Sequence, residues 1–175
     1  NLWIMLSSFF FYGWGEPKYL LVMLASITQG YIFGRLIERF RDKRKLSRLF
    51  LVLSCVISLA ALGYCKYADF FISSFNSVLG TSLPLLKIAL PIGISFFTFQ
   101  IISYVADVYR SEVKAQKSFV NLAAYISMFS QLIAGPIVRY SDIAEQLESR
   151  KHTVSGFSLG VRRFIIGLSK KMLIA

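Results

Sequence analysis

The sequence predicts an all-α fold, a polytopic bundle of helices belonging to an integral membrane protein. Three observations predict it. Hydrophobic residues make up 55% and aromatic residues 15% of the 175 positions, with a mean hydropathy of +0.59, which lies beyond the range of a soluble domain. The apolar residues come in long runs divided by short polar stretches, as expected of successive helices that each need about 20 apolar residues to cross a bilayer. The charges, 20 Lys and Arg against 9 Asp and Glu for a formal +11, gather in those short stretches. That is a topology signal, not a phosphate-binding surface, so membrane lipid and no nucleic acid is the expected partner.

Residues 1–14 are apolar and aromatic and read as the end of a membrane span. Trp14, Tyr12 and Tyr19 flank Gly15-Glu16-Pro17, an interfacial belt at a turn. Residues 18–36 form the next helix, in which Gly30 and Gly34 make a small-xxx-small pair suited to close packing. Residues 35–48 carry seven basic side chains (Arg35, Arg39, Arg41, Lys43, Arg44, Lys45, Arg48) against Glu38 and Asp42. This densest cluster marks a cytoplasmic loop; it serves as a topological anchor or meets anionic lipid or an acidic carrier protein. Residues 49–64 form a third apolar helix. The following stretch is expected to be a separate interfacial helix, with Phe70, Phe71, Phe75 and Leu79 to one side, before a turn at Gly80 to Pro84.

Residues 90–110, LPIGISFFTFQIISYVADVYR, are the stretch around which the rest is arranged. Pro91 and Gly93 weaken its first turn. Gln100, Ser103 and Asp107 recur at i, i+3 and i+7 below Phe96, on one helical face. Polar groups are costly in hydrocarbon, so this face looks into protein or a wet cavity. Two readings stand: a polar seam between helices with Asp107 pairing to Arg110 at the boundary, or one wall of a reaction chamber.

Residues 119–138, FVNLAAYISMFSQLIAGPIV, are long enough to span, but Gln131 lies inside and Gly135-Pro136 breaks the run. Basic residues follow at once. A full crossing would put that charge on the wrong side, so a broken or re-entrant helix is expected. Arg139, three residues after Pro136, either reaches into a cavity to hold an anion or snorkels to the headgroups. Residues 140–149 read as a short amphipathic helix with Ser141 as N-cap and Asp142 and Glu145 in the first turn. Thr153 caps the last helix, which carries Arg162, Arg163, Lys170 and Lys171.

Direct catalytic signals are few. Cys55 and Cys65 are unclustered packing residues, and with one histidine they give neither metal site nor disulfide framework. His152 sits among charges in a loop and lacks the burial and orienting partner of a general base. No Gly-rich phosphate loop or nucleophile elbow occurs. From composition and spacing alone, a transporter fits as well as an enzyme.

Two long segments settle more. LPIGISFFTFQIISYVADVYR and, after SEVKAQKSFVNLAAYIS, the stretch MFSQLIAGPIVRYSDIAEQL closely resemble the bacterial membrane-bound O-acyltransferase family, in the branch that O-acetylates alginate and related polysaccharides. FFFYGWGEPKYLLVML and LGYCKYADFF match that branch too. The resemblance implies that residues 1–175 are part of a single transmembrane acyltransferase domain lacking N- and C-terminal portions. It implies a helical bundle around a tunnel, with helices broken near Pro91 and Pro136. An acyl donor, acetyl-CoA or an acylated carrier, is engaged on the cytoplasmic side, and an exported polysaccharide accepts the acyl group outside. A periplasmic acetylation partner is also implied, and no bound cofactor or metal. The family's catalytic histidine is expected beyond Ala175, leaving no catalytic residue within the segment. Gln100, Ser103, Asp107, Gln131, Gly135, Pro136 and Arg139 are the candidates for the tunnel or donor mouth. Gly93, Ser95, Phe99, Tyr104 and Arg110 match the first signature as well.

Three positions depart from the family pattern. Ser111 stands where Gly is common, Ser130 where Pro is common, and Cys65 where an aromatic is usual. A Ser at 130 permits a regular helix up to Gly135. Alternatives to polysaccharide O-acetylation are D-alanyl transfer to teichoic acid, a transporter using the polar stripe as its path, and a non-catalytic scaffold of the envelope acetylation system.

Overall fold

The computed structural model describes residues 1–88, 90–132, 138–149 and 153–174, which are helical throughout apart from turns and connections. The chain divides into two units, 1–144 and 145–175. In the first, α1 (Leu2–Gly15) and α2 (Pro17–Arg39) are separated by Glu16 alone. Pro17 needs no N–H at the start of a helix and turns the chain at that point. The long apolar α3 (Arg44–Leu79) follows, then α4 (Ile94–Arg110), α5 (Phe119–Ser127) and α6 (Phe129–Leu132). The short α7 (Tyr140–Glu148) crosses the boundary between the units. In the second unit α8 (Val154–Ile174) is capped by the Thr153 hydroxyl, which accepts from the Gly156 N–H at 3.1 Å, as expected.

α2 and α3 are long and apolar enough to cross a membrane. Two sequence expectations are corrected here. The 35–48 stretch is not a loop: α2 continues to Arg39 and α3 begins at Arg44, so only 40–43 connect them. The segment after Tyr64 is not a separate interfacial helix either. α3 runs unbroken for 36 residues, about 54 Å at 1.5 Å per residue, because no proline interrupts it and an isolated Gly63 is a weak breaker. It stops at Gly80, whose φ of +66° closes it in the left-handed conformation.

Contacts along α4 fix the order of the other helices. α2 runs alongside it in the same direction, with Gly30 against Ile101 and Gly34 against Tyr104. An added Cβ would lie 2.9 Å from Ile101 Cγ2 at the first position and 2.8 Å from Tyr104 Cε1 at the second. Both glycines are therefore required for this approach. α3 returns beside α2, where Gln29 donates to Ser54 Oγ at 2.7 Å and accepts from Ser58 Oγ at 3.1 Å. α1 packs on α5 and α6, pairing Asn1 Nδ2 with Asn121 Oδ1 at 2.6 Å and Phe11 with Phe129.

These pairings give the bundle two unlike ends. One gathers the close of α2, the start of α3, the close of α4 and Arg139; there Glu38 Oε1 accepts from the Ala115 N–H at 3.2 Å. The other holds Trp14, Glu16 and Pro91, with the Ile92 N–H donating to Glu16 Oε2 at 3.2 Å and the Tyr12 hydroxyl donating to the Ile92 carbonyl at 3.1 Å. Basic residues crowd the first end and aromatic residues the second.

Candidate functional site

The site is built where α4, α5 and α6 meet. α4 starts at Ile94 because Gly93 adopts φ +74°, a conformation open to glycine and costly for other residues. A Cβ there would stand 2.6 Å from the Leu132 carbonyl oxygen. Gly93 thus lets the tip of α6 reach the beginning of α4. The expected weakening at Pro91 and Gly93 is what the backbone shows.

The 119–138 region is broken, as expected, and a break falls at Met128, ahead of the expected Gly135-Pro136 break. Ser118 caps α5, its hydroxyl accepting from the Asn121 N–H at 3.4 Å. α5 ends after 9 residues at Met128, with φ −52° and ψ 113°, and Ser130 lies in α6 after that break. Gly135 and Pro136, both candidates, lie outside the described residues. At about 1.5 Å per residue α5 covers roughly half a bilayer core.

The flanking contacts show that the chain doubles back. Leu132 sits beside Gly93, at the beginning of α4. Eight residues later Tyr140 is at the other end, stacked edge-on against Tyr104 at 5.0 Å and against Tyr125 at 5.4 Å. Its hydroxyl accepts from Gln116 Nε2 at 2.8 Å, and Gln116 N–H donates to Tyr104 Oη at 2.9 Å. Tyr125 Oη donates to the Val138 carbonyl at 2.7 Å. Entry near Gln116 and exit at Tyr140 therefore share one end of α4, the geometry of a re-entrant segment. Irregular backbone at such depth is tolerated when buried in protein.

Two polar pairs join this segment to α4. Gln100 Nε2 donates to Gln131 Oε1 at 3.2 Å. Arg139 Nη2 donates to Asp107 Oδ1 at 3.4 Å, with the Asp107 side chain 1% exposed and that of Arg139 51%. Asp107 thus takes Arg139 as its partner rather than Arg110, which pairs with Glu112 at 3.9 Å. The reason is rotational. Asp107 faces inward with Gln100, while Arg110 is exposed at the last turn of α4. Two buried acceptors, Gln100 Oε1 and Asp107 Oδ2, have no hydrogen-bond partner among the described residues. Unsatisfied buried acceptors are costly.

Of the sequence candidates, the structure thus brings together Gln100 with Gln131 and Asp107 with Arg139. Ser103 is half-buried and joins neither pair; Ser95 is half-buried and Phe99 exposed. His152 lies outside the described residues. The Tyr104–Tyr125–Tyr140 cluster around Gln116 was not legible beforehand, since its members are far apart in sequence and apolar in pattern. Gln29 with Ser54 and Ser58 had a signal: a lone amide in one apolar helix, and two hydroxyls four residues apart in the next. Ser141 does not cap α7, which begins one residue earlier, at Tyr140.

The model of the membrane-bound O-acyltransferase family matches residues 20–175. Among curated proteins, the "Probable alginate O-acetylase" of Pseudomonas aeruginosa is 37% identical over the whole chain. That of Azotobacter vinelandii is 36% identical, and the "Peptidoglycan O-acetyltransferase" of Helicobacter pylori is 32% identical. The chain spans about a third of the length of these relatives, 34%, 36% and 38% respectively. No solved structure matches the chain.

Proposed function

The chain belongs to the membrane-bound O-acyltransferase family, and from that premise we propose that its protein O-acetylates an exported cell-surface polysaccharide of the alginate kind. The acyl group comes from a donor thioester, acetyl-CoA or an acylated carrier, on the basic face. It passes to a hydroxyl on the aromatic face, where a periplasmic partner completes the transfer. The protein sits in the bacterial inner membrane with residues 35–48 cytoplasmic, since basic residues are retained on that side.

The observation that carries this reading is the re-entrant α5–α6 segment, held to α4 by Gln100–Gln131 and Asp107–Arg139 with two buried acceptors left over. A polar wall inside an apolar bundle suits a thioester and a hydroxyl that must meet away from water. In this reading Arg139, half exposed beside a buried carboxylate, attracts the donor's anionic groups, and its tie to Asp107 fixes its direction. Gln100 and Gln131 position the donor by hydrogen bonding. The acceptor hydroxyl attacks the thioester carbonyl and the thiol leaves. The choice of an alginate-like acceptor follows the names of the more identical relatives; a peptidoglycan acceptor follows the Helicobacter relative.

The test is transfer of label from acetyl-CoA to the host's exported polysaccharide by membranes carrying the intact protein. Label that enters with the wild type and falls at least tenfold with Arg139→Ala or Gln131→Ala, at equal protein abundance, supports the reading. Label that enters equally with these variants removes both residues from the donor path. A protein that moves polysaccharide without labelling it overturns the enzyme.

A further inference from the structure

We infer that the groove between the beginning of α3 and the end of α4 binds the headgroup and upper chain of an anionic phospholipid from the leaflet at the basic end. The groove is about 840 Å³ and is lined by Arg44, Lys45, Arg48, Leu51, Val52 and Tyr109. Its three cations are exposed, and none has an ion-pair partner among the described residues, whereas Arg35, Arg110 and Arg139 each do.

Their placement is unfavourable without an anion. Arg44 and Lys45 open α3, where the helix presents its positive end. No acidic residue occupies the first turn, and Lys43 at the N-cap makes no side-chain hydrogen bond. Like charge is thus gathered on a positive dipole end, which costs stability that a phosphate would return.

The other half of the groove selects lipid over a free anion. Leu51 and Val52 lie on α3 beyond the cations, Val52 being 51% exposed, and the apolar surface runs on through Val56 at 56%. A ligand with a phosphate and a hydrocarbon chain covers both halves; inorganic phosphate covers one. Tyr109, which also lines the groove, supplies a phenol, the amphipathic group suited to headgroup depth.

The experiment reconstitutes the intact protein in vesicles of equal phosphatidylglycerol and phosphatidylcholine, extracts it, and counts retained lipid by native mass spectrometry. Wild type should retain phosphatidylglycerol selectively. Each basic residue near an anionic surface contributes a factor of about five, so Arg44→Gln/Lys45→Gln/Arg48→Gln should lower that selectivity by about a hundredfold. Arg162→Gln/Arg163→Gln/Lys170→Gln removes the same charge from α8 and should leave it in place. Val52→Trp keeps every charge on an exposed position, fills the groove, and should lower retention at least tenfold. Equal loss in the two charge triples would mean generic attraction and would overturn the site. So would unchanged retention in Val52→Trp, or displacement of the lipid by millimolar inorganic phosphate.

Discussion

Two seams meet on neighbouring faces of α4, and they are made of different materials. The seam with α2 is close-packed and smooth: Gly30 and Gly34 admit Ile101 and Tyr104 to backbone contact, and both helices run unbroken along it. The seam with α5 and α6 is polar and interrupted: Gln100 meets Gln131, Asp107 meets Arg139, and the helix breaks at Met128. Tyr104 stands on the border, touching Gly34 on one side and Tyr140 on the other. In lipid, association gains little from hydrophobicity, so close packing of small residues is the means of holding helices together. The first seam does that work. The second buries polar atoms, two of them without a hydrogen-bond partner among the described residues, at a cost in stability.

The largest effect should come from the point where the second seam is anchored. Gly93→Ala forces an L-residue into a left-handed conformation, costing about 1–2 kcal/mol, and drives a Cβ to 2.6 Å from the Leu132 carbonyl. With overpacking of about 1–3 kcal/mol added, transfer should be lost and the detergent-solubilised protein should melt at least 5 °C lower. Wild-type melting and transfer in this variant would mean that α6 is not held by this contact.

Gly34→Ala breaks the other seam. Its Cβ would meet Tyr104, whose ring is held by Tyr140 and whose hydroxyl accepts from Gln116, so little yielding is available. A loss of about 1–3 kcal/mol is expected, read as lower melting temperature and abundance. Turnover per folded molecule should change less than threefold. A specific loss of turnover at normal stability would place this seam in the site as well.

Arg139→Ala should show the reverse balance. Removing Arg139 leaves the buried Asp107 carboxylate without its cation, which costs about 1–3 kcal/mol of stability, while acetyl transfer falls tenfold or more. Adding Asp107→Asn removes the stranded carboxylate and should restore melting without restoring transfer. Recovery of both would make the pair structural only.

The smallest change expected is a gain. Ser111 caps α4 at φ +67°, where a glycine is unstrained. Ser111→Gly should therefore stabilise by about 0.5–1 kcal/mol without altering either seam. The family pattern pointed to glycine here, and the backbone supplies the reason.

Much of the first seam could be read in advance. Two glycines four residues apart in an apolar run indicate close helix approach in any membrane protein, and the side they face needs no distant information. The Gln100 and Asp107 face was equally legible, because a 3.6-residue period places both on one stripe. Their partners were not. Arg110 is three residues from Asp107 and Arg139 is 32 residues away, and local spacing favours the neighbour. Only the return of the chain at Tyr140 brings Arg139 to the carboxylate.

By itself, then, the sequence determined the helical membrane class, the crowding of basic residues in short polar stretches, the glycine contact on α2 and the polar stripe on α4. These follow from composition and period, which act over one or two turns. The tertiary structure decided the continuity of α3 through Tyr64, the break at Met128, and the partners of Asp107 and Tyr140. Each depends on which surfaces meet across long separations, where burial and hydrogen bonding with a distant segment outweigh local preference.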